Sequence, residues 1–138
     1  MRFVRLPGLV TLILLAGSLA MASAKRDWLR EVPEKDRVRA NPFAGNADAV
    51  AAGGILFRKN CGSCHGEDAL GTGKRPSLRT ERVRGATDGE LHWLLTNGYL
   101  GEGMPSWSKL PDAQRWQLVR YLHSLDGDDA GSGASQAK

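Results

Sequence analysis

Cysteine is scarce in this chain of 138 residues, and the two that it has, Cys61 and Cys64, lie three positions apart. Two cysteines cannot form the set of disulfides that stabilises many small secreted domains. A disulfide between these two would close a very small loop and would remove little entropy from the unfolded chain. The scarcity excludes a disulfide-rich fold and indicates that the pair serves another chemistry.

The sequence also lacks a run of lysine and arginine interleaved with aromatic residues. It has 19 basic and 15 acidic residues, which gives a formal net charge of +4. So mild a charge does not favour a nucleic-acid partner, and we expect none. No long segment alternates between apolar and polar residues, so β-strands are not predicted either.

Only one long stretch is free of charge, and it lies near the N-terminus. Arg2 and Arg5 precede 19 uncharged residues, 6–24, which end in Ala22-Ser23-Ala24. A basic start, an apolar middle and a small-x-small end predict a secretory signal peptide over residues 1–24. The alternative is an uncleaved membrane anchor over residues 6–24, since a span needs about 20 residues. Association with a membrane is expected only in that case.

The remaining chain divides into three parts by composition. Residues 25–45 are charged and contain two prolines, which predicts an extended surface arm that Trp28 and Phe43 hold in place. Residues 126–138 have no apolar side chain larger than alanine and are predicted to be a disordered polar tail. The folded domain is expected over residues 46–125.

Three helices are predicted within that domain. The first begins at Asn46 and runs to residue 60. The second begins at Thr87, which forms a capping box with Glu90, and the third begins near Pro111. The expected apolar face of the first helix consists of Ala47, Val50, Gly54, Phe57 and Cys61. Gly53 and Gly54 each cost about 1 kcal/mol in a helix, which suggests close packing there.

The cysteines form a C-x-x-C-H motif with His65, which is typical of c-type haem attachment. Each sulfur can form a thioether with the porphyrin edge, and the adjacent imidazole can bind the iron. Two alternatives stay open. A thioredoxin-type C-x-x-C belongs at a helix N-terminus after a strand. A zinc site needs four ligands, so His92 or His123 would have to complete it, yet each is expected to be an ordinary, partly exposed side chain.

A haem that transfers electrons needs a second strong iron ligand, and methionine is the usual one. Two of the three methionines, Met1 and Met21, lie in the predicted signal peptide. Met104 remains, in a loop where Gly98, Gly101 and Gly103 allow close curvature. The predicted iron ligands are therefore His65 and Met104. The alternative for Met104 is that it fills a gap in the core.

These features resemble those of the small class I cytochromes c of bacteria. "CGSCHG" is similar to their haem attachment motif, "GEGMPSW" to their methionine loop and "QRWQLVRYLHSL" to their C-terminal helix. The resemblance implies an all-α bundle of about three main helices around one covalently attached haem c. It implies that Gly53 or Gly54 meets Tyr121 where the first and last helices cross. It also implies that the Pro76 carbonyl accepts a hydrogen bond from His65 Nδ1–H. It implies that Leu78, Leu94 and Trp107 line or border the haem pocket, and the alternative for Trp107 is that it only packs in the core.

The resemblance implies an electron carrier of the bacterial periplasm, and not an enzyme. Its donor and acceptor would be redox proteins such as a quinoprotein dehydrogenase, a cytochrome oxidase or a bc-type complex. Arg58, Lys59, Lys74 and Arg75 lie close together in sequence around the cysteines. One interpretation is that they steer an acidic partner, and the alternative is that they are simply solvated. One alternative is a fixed electron-transfer subunit of a membrane or quinoprotein oxidoreductase. Another is a peroxidase or gas sensor with an open iron site.

Overall fold

The computed structural model describes residues 27–73 and 75–125, and its regular structure is helical. Within these ranges there is no strand, and the pairs Thr72–Arg75 and Tyr99–Met104 form isolated bridges. The all-α prediction is confirmed. None of the helices in these ranges combines the length and the apolar character needed to cross a membrane. The predicted signal peptide, the polar tail and Lys74 lie outside the described residues.

Three longer helices and several short ones make up the fold. The helices are α1 (Glu34–Arg37), α2 (Ala47–Asn60), α3 (Gly62–His65), α4 (Glu81–Arg84), α5 (Asp88–Asn97) and α6 (Asp112–Ser124), with 3-10 helices at Trp28–Glu31 and Leu100–Glu102. The three longer ones, α2, α5 and α6, are those that the sequence predicts. Their N-termini are also as expected, because Asn46 caps α2, Thr87 and Glu90 form a capping box on α5, and Pro111 precedes α6.

Helices α2 and α6 cross at the two glycines of α2. A Cβ atom at Gly53 would overlap the Gln117 carbonyl and would lie 2.8 Å from the Cβ of Tyr121. A Cβ at Gly54 would lie 3.1 Å from the Tyr121 ring. The predicted meeting of these glycines with Tyr121 is confirmed. Helix propensity is given up here so that two backbones can approach closely.

The buried face of α2 differs in part from the predicted one. Ala47, which we expected on that face, is exposed, and Ala49 is buried in its place. The close approach at Gly53 and Gly54 directs the helix, so the face is centred on Ala49, Gly53 and Phe57. The core then extends to the apolar stripe of α6, whose buried members are Trp116, Leu118, Val119 and Leu122.

The segment before α2 is not the extended surface arm that we predicted. It contains a 3-10 helix and α1, and Trp28 and Val32 belong to the same core as the longer helices. A Cβ at Gly89 of α5 would overlap the Asp36 carbonyl, so α1 lies directly against that helix. Asp27 caps the first turn by accepting from the amide of Leu29. The helical turns form because their apolar side chains gain burial against the domain.

The prediction that His92 is partly exposed is wrong. Its residue is only 2% exposed, and its ring is stacked on Trp116 with the centroids 3.9 Å apart. Its Nε2 atom lies 2.9 Å from Asp112 Oδ1, and Nδ1 lies 3.3 Å from the guanidinium of Arg39. These contacts connect α5, α6 and the N-terminal arm, which gives the histidine a structural role.

Candidate functional site

The C-x-x-C-H motif follows α2 without a break. The amide of Cys61 still donates to Phe57 O, as the next residue of a helix would. The short helix α3 then brings the amides of Cys64 and His65 to the carbonyl of Cys61, at 3.1 and 2.9 Å. Cys61 is half-buried against the core and Cys64 is exposed, and both thiols are free. The turn thus presents two sulfurs and an imidazole within five residues.

The electrostatics of the pair do not favour thiol redox chemistry. Burial, with a smaller effect from the neighbouring Cys64, raises the pKa of the Cys61 thiol to about 11. Nucleophilic cysteines of the thioredoxin type instead have a lowered pKa. The pair also follows a helix, and no strand lies in the described ranges. The thioredoxin-type alternative is therefore disfavoured on both counts.

The imidazole of His65 is oriented by a backbone carbonyl. Its Nδ1 atom lies 2.9 Å from the oxygen of Pro76. With Nδ1–H donating to that oxygen, the proton is fixed on Nδ1 and Nε2 keeps a free lone pair for a metal. Pro76 is the residue for which the resemblance implies this contact.

The loop between His65 and Leu78 is held by its own backbone. The amide of Gly71 donates to His65 O at 2.7 Å, and that of Leu78 donates to Ala69 O at 2.8 Å. Gly71 has φ +88°, and a Cβ there would lie 2.9 Å from the carbonyl carbon of Pro76. Glycine at residue 71 therefore allows the segment that contains the Pro76 carbonyl to lie beside the turn that follows His65.

Met104 lies at the end of a closed turn. The backbones of Tyr99 and Met104 exchange two hydrogen bonds of 2.8 and 3.1 Å, and the 3-10 helix Leu100–Glu102 lies between them. Gly103, in the left-handed region at φ +77°, returns the chain. Met104 itself is half-buried and packs at the edge of the core. The loop thus has a defined conformation about the predicted sulfur ligand.

Leu78, Leu94 and Trp107 are half-buried side chains packed against the same core. Trp107 is attached to α5 because its amide donates to Leu95 O at 2.8 Å. These three residues, together with Cys61 and Met104, place partly exposed apolar side chains along one continuous core. An apolar cofactor would gain from such a surface.

The donor set fits a c-type haem better than zinc. It offers the two sulfurs of Cys61 and Cys64, the imidazole of His65, whose Nδ1 is hydrogen-bonded to Pro76 O, and the thioether of Met104. These are the attachment points and the iron ligands of haem c with His and Met ligation. Zinc sites use clustered Cys, His and carboxylate ligands. Within 27–73 and 75–125 no three such side chains are grouped so that they could hold a metal ion.

Of the four basic residues near the cysteines, the structure describes Arg58, Lys59 and Arg75. Arg75 is half-buried, and its guanidinium donates to the carbonyl of Glu102 at 2.9 Å. It therefore joins the Pro76 segment to the methionine loop while it remains partly exposed to solvent. The sequence gives no local sign of this contact, because the two residues are 27 positions apart. Arg58 and Lys59 are exposed, as expected of a steering group.

The known family that matches is described as cytochrome c oxidase, cbb3-type, subunit III, and the match covers residues 48–122. This range is more than half of the chain. It contains every residue predicted for the site, from Cys61 to Trp107. The family match and the donor geometry thus concern the same part of the molecule.

Individual relatives point the same way. The cbb3-type cytochrome c oxidase subunit CcoP of Azospirillum brasilense is 34% identical over 110 residues, which cover 74% of this chain and 37% of the relative. Cytochrome c550 of Pseudomonas aeruginosa is 29% identical, over 64% of this chain and 63% of the relative. The chain therefore spans little more than a third of the CcoP relative's length.

A solved structure shares the fold. Cytochrome cL from the marine methylotroph Methylophaga aminisulfidivorans aligns with a TM-score of 0.56 and 20% identity, over 79% of this chain and 72% of that one. At this identity the likeness concerns the fold alone.

Proposed function

This chain belongs to the c-type cytochromes, in the family of cbb3-type cytochrome c oxidase subunit III, and we propose that it is an exported carrier of single electrons. The cofactor of this family is covalently bound haem c, and in this chain Cys61 and Cys64 are its attachment points. The proposal adds that His65 and Met104 are the two iron ligands and that the chain moves between a donor and an acceptor in the bacterial periplasm.

The observation that carries the proposal is that hydrogen bonds hold both loops that carry the predicted iron ligands. His65 has its Nδ1 proton directed to Pro76 O, 2.9 Å away. Met104 closes a turn by two hydrogen bonds with Tyr99, and it is the one methionine after residue 24. When bound, the haem supplies an iron that gains or loses one electron. Two filled ligand positions favour electron transfer over binding of oxygen or peroxide.

The chain's own residues set the conditions for that transfer. The Pro76 carbonyl raises the basicity of the His65 imidazole by accepting its Nδ1 proton. The thioether of Met104, a soft ligand, favours the reduced state. Leu78, Leu94 and Trp107 exclude water from the cofactor, and that also raises the reduction potential.

The first test is a potentiometric titration of the haem-loaded protein. A single midpoint with a one-electron slope, and no spectral change on addition of carbon monoxide to the reduced protein, is the result that the proposal requires. Binding of carbon monoxide at the wild-type iron would favour the open-site alternative, a peroxidase or gas sensor, over the carrier.

A second candidate is a fixed subunit of a membrane oxidase. The family match and the CcoP relatives, which are much longer than this chain, favour it. The two candidates differ in residues 1–24, so the protein should be produced in a bacterium that matures c-type haem. A soluble periplasmic product that begins at Lys25 supports the free carrier. A membrane-bound product that retains Met1 supports the subunit.

A further inference from the structure

We infer that Arg75 is a positioning residue for Met104. Arg75 lies in the loop that orients His65, and its side chain donates a hydrogen bond to the loop that carries Met104. The inference rests on the proposed ligation by Met104. The contact is a hydrogen bond of 2.9 Å from Arg75 Nη1 to Glu102 O, and it spans 27 residues of sequence. Glu102 lies inside the turn that Tyr99 and Met104 close.

The methionine loop is shaped to receive the guanidinium. A Cβ at Gly103 would lie 2.7 Å from Nη1 and 3.1 Å from Nη2 of Arg75. The residue next to Met104 therefore has no side chain where the guanidinium lies against the backbone. Its φ of +77° independently favours glycine. The positive φ thus accounts for the glycine, and the missing Cβ leaves room for the guanidinium beside the loop.

The other end of Arg75 is fixed in the histidine loop. Its backbone exchanges two hydrogen bonds with Thr72, of 3.1 and 2.7 Å. The hydroxyl of Thr72 donates to Cys64 O at 2.5 Å. The next residue, Pro76, bonds His65 Nδ1. The backbone of Arg75 is therefore held by the same short turn that orients the His65 imidazole.

The consequence concerns how easily Met104 can leave the iron. The turn from Tyr99 to Met104 has two hydrogen bonds of its own, and it must open for the sulfur to be displaced. A hydrogen bond from a charged donor makes that opening less favourable, because it is stronger than one between neutral groups. Arg75 is half-exposed, so solvent weakens the effect, and we expect it to be on the order of tenfold in an equilibrium constant.

Displacement of Met104 by imidazole in the ferric, haem-loaded protein measures this directly. Loss of the weak long-wavelength absorption band of sulfur-bound iron reports the displacement. We expect R75Q to bind imidazole on the order of tenfold more tightly than the wild type. R75K, which keeps the charge but lacks the planar fork, should fall between them.

R79Q is the matched control. The Arg79 side chain donates from Nε to Asp68 O at 2.7 Å, within its own loop, so R79Q removes the same charge without separating the two loops. It should bind imidazole as the wild type does. An equal increase in R79Q and R75Q would assign the effect to charge and overturn the inference.

The outcomes separate this inference from the proposed function. A wild-type spectrum with the band, combined with unchanged imidazole affinity in R75Q and R75K, would overturn the role of Arg75 and leave the Met104 ligand in place. A wild-type spectrum without the band would remove the ligand, and the role of Arg75 with it. If R75Q does not fold, the imidazole affinity of R75K is compared with that of R79Q. Tighter binding in R75K alone supports the role of Arg75, and unchanged affinity in both overturns it.

Discussion

His65 Nδ1 lies 2.9 Å from the carbonyl oxygen of Pro76, and Gly71 makes this contact possible. At φ +88°, a Cβ at Gly71 would lie 2.7 Å from both Arg75 O and Ser77 N, and 2.9 Å from the carbonyl carbon of Pro76. The orientation of the imidazole therefore depends on a residue that has no side chain and does not contact the ring.

Gly71→Ala is expected to raise the reduction potential. The added methyl group moves the Pro76 segment away, which weakens the hydrogen bond from His65 and makes the imidazole a poorer donor to Fe(III). Potentiometry of the haem-loaded variant measures the shift. The Nδ1–H resonance of His65 in NMR reports the bond itself.

Gly73→Ala is the control for this change. Gly73 also has a positive φ, +39°, but a Cβ there would have no atom within 4 Å. Alanine at residue 73 therefore adds backbone strain without moving Pro76. An equal change of potential in both variants would mean that strain in the loop, and not the Pro76 contact, controls the iron.

The crossing of α2 and α6 allows a second prediction. Gly53→Ala should lower the free energy of unfolding by about 1–3 kcal/mol, because the methyl group meets the backbone of α6 and the packing must shift. Alanine otherwise favours a helix by about 1 kcal/mol over glycine. Chemical denaturation of the haem-loaded protein measures the difference.

Gly54→Ala is the matched comparison, since it is the next residue of the same helix. The nearest atoms to its Cβ would be those of the Tyr121 ring, at 3.1 and 3.2 Å, and a ring can move more easily than a backbone. It should therefore cost less than Gly53→Ala. The reverse order would contradict the observed crossing.

The packed N-terminal arm allows a third prediction. Asn41 is 4% exposed. It donates from Nδ2 to Trp116 O at 3.0 Å and accepts from the Phe43 amide at 2.9 Å. Asn41→Ala should cost about 1–2 kcal/mol, because each lost hydrogen bond is worth roughly 1 kcal/mol. It should also make residues 28–40 more sensitive to limited proteolysis.

Asn97→Ala serves as its control. Asn97 is exposed and donates to Trp93 O, one turn back in its own helix. Its removal should leave the arm as protected as in the wild type. An arm that is cleaved equally fast in the wild type and in Asn41→Ala would show that Asn41 does not hold it.

The buried His92 predicts a pH dependence. Burial, aided by Arg39 and Arg115, lowers the pKa of His92, and Asp112 opposes the shift. Unfolding returns the group to about 6.5. The unfolded chain therefore binds the proton first as the pH falls. His92 contributes its full stability above about pH 6.5, and this is lost as the pH falls through the pKa of the folded state.

His92→Phe isolates this group. The ring can still stack on Trp116, but it cannot titrate. The free energy of unfolding, measured between about pH 8 and pH 5, should fall less steeply in the variant, by at most about 1.4 kcal/mol per pH unit. The pKa of His123 is also lowered, chiefly by burial, but His123 is common to both proteins. A difference between the two curves that does not change with pH would contradict the prediction.

The parts of this molecule that sequence predicts are those with local causes. Asn46, Thr87 and Glu90 mark helix starts because capping is decided within four residues. The C-x-x-C-H motif is contiguous, so its chemistry is readable without a fold. Met104 was identified by elimination, since the other two methionines lie before residue 24.

What sequence could not give depends on partners far along the chain. The N-terminal arm folds into helical turns against residues about 50 positions later, with Asp36 O beside Gly89 and Arg82 over the Trp28 ring. The charges and prolines of the arm predicted an extended chain instead. His92 is buried because Asp112 and Arg39 satisfy its two nitrogens. Arg75 contacts Glu102, which is 27 residues away. Its charge and its place near the cysteines therefore gave no sign of this contact.

The central claim, that His65 and Met104 both bind the haem iron of an electron carrier, is tested most directly by the absorption spectrum of ferric wild type and Met104→Ala. The wild type should show the weak long-wavelength band of sulfur-bound iron. Met104→Ala should lack it and should have a lower reduction potential, because the soft ligand that favours Fe(II) is gone. A band that persists in Met104→Ala, or one that is absent from the wild type, would contradict the claim.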